Sequence, residues 1–185
     1  ENGNELFADK VVSSAGLVNT VNTFLRNQPQ FSKFKSKLKK VQPTESYLCL
    51  YIGLKKSAKE LGLKTTNLWI YPGYNHDKNI ADYQKDPNVN FPVVYVSFPS
   101  AKDPDWDNNH PGCATMEAIT LGRWEWVEKW DKKPWKKRGN DYENFKEEIS
   151  QKILNIVFKH VPNVKESLDH YELSTPLSVR DMAHY

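Results

Sequence analysis

Three stretches of this chain carry side chains whose types and spacing could do chemistry. Asp103, Asp105 and Asp107 alternate through a Pro-, Asp- and Asn-rich loop, 99–112. Alternating carboxylates open a calcium-binding EF-hand loop, but that loop needs glycine where Asn108 stands and a bidentate glutamate where Ala114 stands. The loop reads instead as solvated turns, with no metal. Further on, Lys132, Lys133, Lys136, Lys137 and Arg138 surround Trp135 and follow Trp124, Trp126 and Trp130. Lysines interleaved with indoles suit an anionic membrane interface. They also suit stacking on single-stranded nucleic acid, and the same pattern arises when a solvated basic loop turns its tryptophans into the core. The residues leave these three readings open.

The third stretch is a set of aromatic side chains on apolar runs: Tyr47, Tyr51, Trp69, Tyr71 and Tyr95. Six Trp and nine Tyr in 185 residues suit the wall of a large apolar or planar ligand, and equally an aromatic core. Strand alternation would make one face of each run available to a ligand, and the runs alone do not say which.

Several chemistries are excluded. The chain has no G-x-G-x-x-G after a strand, no G-x-x-x-x-G-K-[ST], no C-x-x-C, no H-E-x-x-H and no G-x-S-x-G. With eight glycines, it offers no loop for close backbone approach to a pyrophosphate. Of the histidines 76, 110, 160, 170 and 184, none has ligand-pair or triad spacing, and His160 suits the end of a helix, where an imidazolium complements the dipole. Cys49 and Cys113 make no disulfide framework and read as free thiols of a reducing compartment. A net charge of +3 is too small to imply a nucleic-acid partner without a concentrated patch. No apolar run approaches the roughly 18–20 residues that cross a bilayer, and no signal peptide is visible.

The elements that must position these residues are legible in outline. Asn2-Gly3 is a hairpin-turn signal, followed by a strand candidate over 5–12 whose partner would precede the turn. Residues 17–25 read as a short helix or loop. Phe31, Phe34, Leu38 and Val41 recur at helical spacing among five lysines, which predicts a basic amphipathic helix. The run 47–54 predicts a strand buried on both faces, and Ser57 to Glu60 has capping-box spacing before Gly62. Strands are expected over 67–71, 93–98, 115–121 and 171–175, with a polar helix over 77–85 and a helical stretch over 124–130. The clearest helix is expected over 141–160, capped by Asp141, with one stripe of Phe145, Ile149, Ile153, Ile156 and Val157. Ser178 and Asp181 are candidate caps for a helix over 179–184. The expectation is an α+β fold: a mixed, largely antiparallel sheet packed with helices. Both ends read as cut from a longer protein.

The order of these motifs resembles the phytoene desaturase, carotenoid isomerase and retinol saturase-like family of FAD-dependent oxidoreductases. Ala8-Asp9-Lys10-Val11-Val12-Ser13-Ser14-Ala15 resembles the family's A-D-x-V-V-x-x-A strand after a glycine turn. Ser57-Ala58 with Leu61-Gly62, then residues 67–71, are similar to its middle domain. Residues 96–104 with His110-Pro111-Gly112 resemble its S-x-x-S-x-x-D-P strand and loop. Glu172-Leu173-Ser174-Thr175-Pro176-Leu177 resembles the strand returning to the flavin domain.

The resemblance spans nearly the whole chain, but its motifs are strands and turns rather than catalytic signatures, and the family's glycine-rich flavin motifs lie outside it. It implies that 1–16 closes a flavin-domain portion, 17–177 is the substrate-binding domain, and 178–185 leads back into the flavin domain. It further implies an apolar polyene substrate, a carotenoid or retinoid, held by Tyr47, Tyr51, Trp69, Tyr71 and Tyr95. Thr175 and Pro176 would lie nearest FAD, NAD(P) is a candidate electron partner, and the cofactor would carry the redox step. A location on the cytoplasmic side, peripheral to a membrane, would suit such a substrate. The rival readings are a flavin amine oxidase-like enzyme for an amine or porphyrin precursor, and a non-enzymatic lipid-binding domain.

Overall fold

The computed structural model describes residues 3–41, 45–86 and 88–183. The chain divides into two compact units, Glu1–Thr44 with Tyr185, and Glu45–His184.

In the first unit, residues 4–14 run exposed and without a ladder, so the strand expected over 5–12 does not form. A strand is held by its neighbour's backbone groups, and no described segment pairs with this one. Asn2 of the expected turn lies outside the described residues. Leu17–Asn19 begins a helical turn that widens into a π-turn over Thr20–Phe24. The expected basic helix is shorter than its pattern: a 3-10 turn at Pro29–Phe31 leads into α1, Ser32–Leu38.

The second unit is built on a five-stranded antiparallel sheet. Its strands are β1 (Ser46–Leu54), β2 (Leu68–Ile70), β3 (Val94–Ser97), β4 (Ala114–Gly122) and β5 (Leu168–Ser174), in the order β2-β3-β4-β1-β5. The α+β expectation holds, and every pairing among the described strands is antiparallel. β1, an interior strand between β4 and β5, is aliphatic at each alternate position: Leu48, Leu50, Ile52 and Leu54 are all buried. Register lines up Leu68, Val96, Ala118, Leu50 and Leu173 across the five strands.

Against this face packs the long helix. The first α-helix of this unit is α2, His76–Lys85, and α3 spans Asn140–His160. Ile149, Ile153, Leu154 and Val157 of α3 join the sheet residues in one core. Asp141 is not the cap of α3. Gly139, at φ 91°, makes the sharp entry that an L side chain resists, and Asp141 instead accepts the Trp130 Nε1–H at 2.6 Å. At the other end His160 and Lys159 occupy the last turn, where positive charge opposes the dipole.

The remaining expectations shift in detail. Asn75, not Asp77, starts α2, accepting the Lys78 amide at 3.1 Å. The capping-box pair closes a tight turn rather than a helix: Ser57 N–H donates to Glu60 at 2.9 Å, and Glu60 N–H donates back to Ser57 Oγ at 3.3 Å. Residues 124–130 form two 3-10 turns, Trp124–Trp126 and Glu128–Trp130. The loop 99–112 contains two helical turns, Pro99–Lys102 and Trp106–Asn109, and is pinned to β4 by Ser100 Oγ, which accepts the Thr115 amide at 3.0 Å.

The last helix, α4, begins earlier than expected, at Pro176–Ala183. Ser178 does take part in its start, accepting the Thr175 amide at 3.2 Å, while His184 lies outside the described residues. Leu177 of α4 closes a second cluster with Val127, Trp130 and Tyr142. Around it Arg138 is buried and paired with Asp181, its guanidinium 5.2 Å from the Tyr142 ring centre.

Candidate functional site on the second face of the sheet

The second face of the sheet is where the odd-numbered residues of β1 point, because successive strand side chains alternate. The aliphatic set Leu48 to Leu54 takes the core, which leaves Tyr47, Cys49, Tyr51 and Gly53 on the other side. Register then fixes their neighbours. Trp69, Tyr95, Ile119, Cys49 and Ser174 form one row across all five strands. The next row is Ser97, Glu117, Tyr51 and Glu172, and beyond it lie Thr115, Gly53 and His170. On the opposite flank Leu121 pairs with Tyr47.

Four of the five aromatic candidates, Tyr47, Tyr51, Trp69 and Tyr95, therefore share this face. It remains accessible: Tyr47 is 45%, Tyr51 48% and Trp69 62% exposed. The Trp69 and Tyr95 rings lie 4.7 Å apart, tilted at 58°. Tyr71 follows β2 outside the ladder, its ring edge-on to His76 at 4.5 Å.

The face is polar at one end and apolar at the other. Trp69, Tyr95, Ile119, Leu121 and Tyr47 make the apolar end. Ser97, Glu117, Glu172 and His170 make the polar end, where Lys102 Nζ holds Ser97 Oγ at 2.9 Å and Lys146 pairs with Glu172. Tyr51 stands on the boundary. Burial, contact with Cys49 and the nearby Glu117 charge push its phenol up to about 12, so it keeps its proton and remains a donor at neutral pH.

Cys49, covered by these neighbours, is pushed up to about 11, mainly by burial and against a hydrogen bond from Tyr51. It is not a thiolate nucleophile at neutral pH. Neither cysteine is in a disulfide. Alkylation of the native protein with iodoacetamide at pH 8 is expected to label the partly exposed Cys113 and spare Cys49 until denaturant is added. Peptide mass spectrometry reads this directly, and rapid native labelling of Cys49 would contradict it.

Thr175 and Pro176 lie elsewhere. Both are buried, and the Thr175 hydroxyl is hydrogen-bonded to Tyr142 at 2.7 Å. The residue of that turn which reaches the second face is Ser174. The sequence reading also passed over Cys49, Glu117 and Ile119, although β1 itself held the signal: one parity is purely aliphatic, so the other must face away from the core.

The basic tryptophan-rich stretch divides between two roles. Trp130 is buried and Trp126 packs on the core, while Arg138 and Lys133 are bonded internally, Lys133 Nζ donating to Arg138 O at 2.9 Å. Trp135, Lys132, Lys136 and Lys137 point outward. In the acidic loop Asp103 accepts the Asp105 amide at 2.9 Å, the use expected of a turn. Among the described residues no three His, Cys, Asp or Glu side chains gather around a metal-sized space, and no helix is long and apolar enough to cross a membrane.

No family model matches the chain. It is 32% identical over 173 residues to all-trans-retinol 13,14-reductase of Danio rerio, an alignment that covers 91% of this chain and 28% of that protein. The Rattus norvegicus protein of the same name is 30% identical over 178 residues, covering 94% of this chain and 29% of the relative. An inactive all-trans-retinol 13,14-reductase of Danio rerio is 30% identical over 186 residues, covering 96% of this chain and 30% of the relative.

The chain is homologous to one segment of the all-trans-retinol 13,14-reductases. It spans about three-tenths of the length of these relatives. The alignments cover 91–96% of this chain.

Proposed function

We propose that this chain is the substrate-binding part of a retinoid-reducing oxidoreductase, and that the second face of its sheet carries the polyene. The observation that supports this most is the face itself. Three aromatic side chains from three strands, Tyr47, Trp69 and Tyr95, line its apolar end, and the Tyr51 hydroxyl at the boundary leads to two carboxylates at the other. A retinol has the matching chemistry, an extended apolar body with one hydroxyl end. The Tyr47, Trp69 and Tyr95 rings would cover the polyene, and Tyr51 with Glu117 would meet the alcohol. The names of the relatives favour a retinoid over a carotenoid, and over the amine or porphyrin precursor of the rival reading.

FAD is part of the proposal as a group held by other segments of the full-length protein, with NAD(P) as its electron partner. The fit within this chain is limited. There is no glycine-rich loop for the phosphates, and Thr175 and Pro176 are covered by their own neighbours. The flavin would supply the hydride for carbon–carbon bond reduction. The residues here would bind the substrate, orient it and keep water from it.

The deciding experiment is turnover by the full-length protein. Given all-trans-retinol and a reductant, it is expected to yield the 13,14-dihydro product, identified by chromatography and mass. Retinol left unconsumed, with an active relative turning over alongside, would sink the activity. That outcome is a genuine alternative, because an inactive relative matches the chain as well as an active one does.

A further inference from the structure

We propose that residues 17–41 form a docking surface for an anionic lipid bilayer. The segment holds Arg26, Lys33, Lys35, Lys37, Lys39 and Lys40 and no acidic residue. Elsewhere in the chain the 23 acidic side chains outnumber the remaining 20 basic ones. The net positive charge of the protein therefore comes from this segment.

One of the six cations is structural. Lys35 Nζ donates to the carbonyls of Leu25 and Arg26, at 3.0 and 2.7 Å, and so ties the preceding turn to α1. Arg26, Lys33, Lys37, Lys39 and Lys40 remain exposed and form no ion pair among the described residues. Leu17, Val18, Phe24, Phe34 and Val41 stand among them, 41–66% exposed. Exposed aliphatic and aromatic side chains flanked by unpaired cations have the chemistry of a peripheral membrane segment. The apolar groups enter the headgroup boundary, while the lysine stems snorkel and their ammonium groups meet lipid phosphates and carboxylates.

The loop at 132–138 is the weaker candidate for this role, because two of its five cations are bonded internally and it sets a single indole outward. A nucleic acid would satisfy the charge of 17–41 but gives no reason for exposed Leu17, Val18 and Val41. The surface does not depend on the retinoid reading: lipid binding and retinol turnover can fail separately.

The test is sedimentation of the full-length protein with vesicles of phosphatidylcholine alone, and of phosphatidylcholine and phosphatidylserine in equal parts. The protein is expected to bind the mixed vesicles more strongly than the neutral ones, and to be released by salt. The variant Lys33→Gln/Lys37→Gln/Lys39→Gln/Lys40→Gln should partition roughly six-hundredfold more weakly, since each lysine near an anionic leaflet contributes about fivefold. These side chains are exposed and form no hydrogen bond or ion pair among the described residues, so its melting temperature should match the wild type. Lys132→Gln/Lys136→Gln/Lys137→Gln should bind as the wild type does. The proposal is overturned if the quadruple variant binds normally, if the loop variant is the one that loses binding, or if the wild type ignores anionic vesicles and binds a single-stranded oligonucleotide instead.

Discussion

Truncating Trp69 to alanine in the full-length protein is expected to lower kcat/KM for the proposed retinoid by about thirtyfold while leaving the melting temperature in place. Trp69 is 62% exposed, so folding draws little from it. A polyene lying on the sheet would cover one face of the indole, about 80 Å², which at ~25 cal/mol per Å² is worth about 2 kcal/mol, or about thirtyfold in rate. Tyr95 would also lose the ring that tilts against it at 4.7 Å, so the double variant with Tyr95→Ala should fall further. Trp69→Phe should recover much of the loss, because it restores an apolar ring in the same row. A Trp69→Ala protein with wild-type kcat/KM, or one whose loss merely tracks a fall in melting temperature, would remove this face as the substrate surface.

Asp181→Asn is expected to destabilise the protein by about 3–5 kcal/mol, the usual cost of leaving a buried charge without its partner. Arg138 is 2% exposed and its ion pair is with Asp181. Arg180 also donates to Asp181, at 2.7 Å, so the carboxylate serves two guanidinium groups. Burial raises the Asp181 pKa, but the hydrogen bonds and charges of Arg138 and Arg180 outweigh it and hold the carboxyl below its ordinary value. The contribution of the pair is thus complete above the unfolded pKa of about 3.9 and disappears as pH falls through the lower, folded value. Urea unfolding at pH 7 should show the loss, and the variant should lack this part of the wild type's acid sensitivity. An unchanged unfolding midpoint would mean that water or other groups satisfy Arg138 in solution. Replacing the pair by Arg138→Met with Asp181→Leu should cost less than Asp181→Asn, because no unpaired charge then stays buried.

Much of the second unit was legible because its patterns are local. The aliphatic parity of β1, the stripe along α3 and the turn signals at Ser57 and Gly62 follow from side-chain period and backbone preference. They locate the elements to within a few residues. The strand over 5–12 has the same kind of local signal and does not form a ladder, because a strand is completed only by a partner and a single run cannot say whether one exists. Asp141 looked like a cap by residue type. Trp130, eleven positions earlier, claims its carboxylate, and Gly139 makes the turn.

The amino-acid sequence by itself determined that this is an α+β chain without a dinucleotide fingerprint, with Tyr47, Tyr51, Trp69, Tyr71 and Tyr95 as its conspicuous aromatics. It also carried the resemblance to retinol saturase-like enzymes, since the order of soft motifs along 185 residues is a linear property. Only the tertiary structure decided that Tyr47, Tyr51, Trp69 and Tyr95 share one face with Glu117, Cys49 and Ser174. That juxtaposition depends on register between strands far apart in sequence, and a shift of one residue would turn each set to the opposite side. Tertiary packing likewise drew Thr175, Trp130 and Arg138 inward and left Lys33, Lys37, Lys39 and Lys40 outside. Whether a polar or aromatic side chain is covered depends on what the rest of the chain places against it, and a linear pattern does not contain that information.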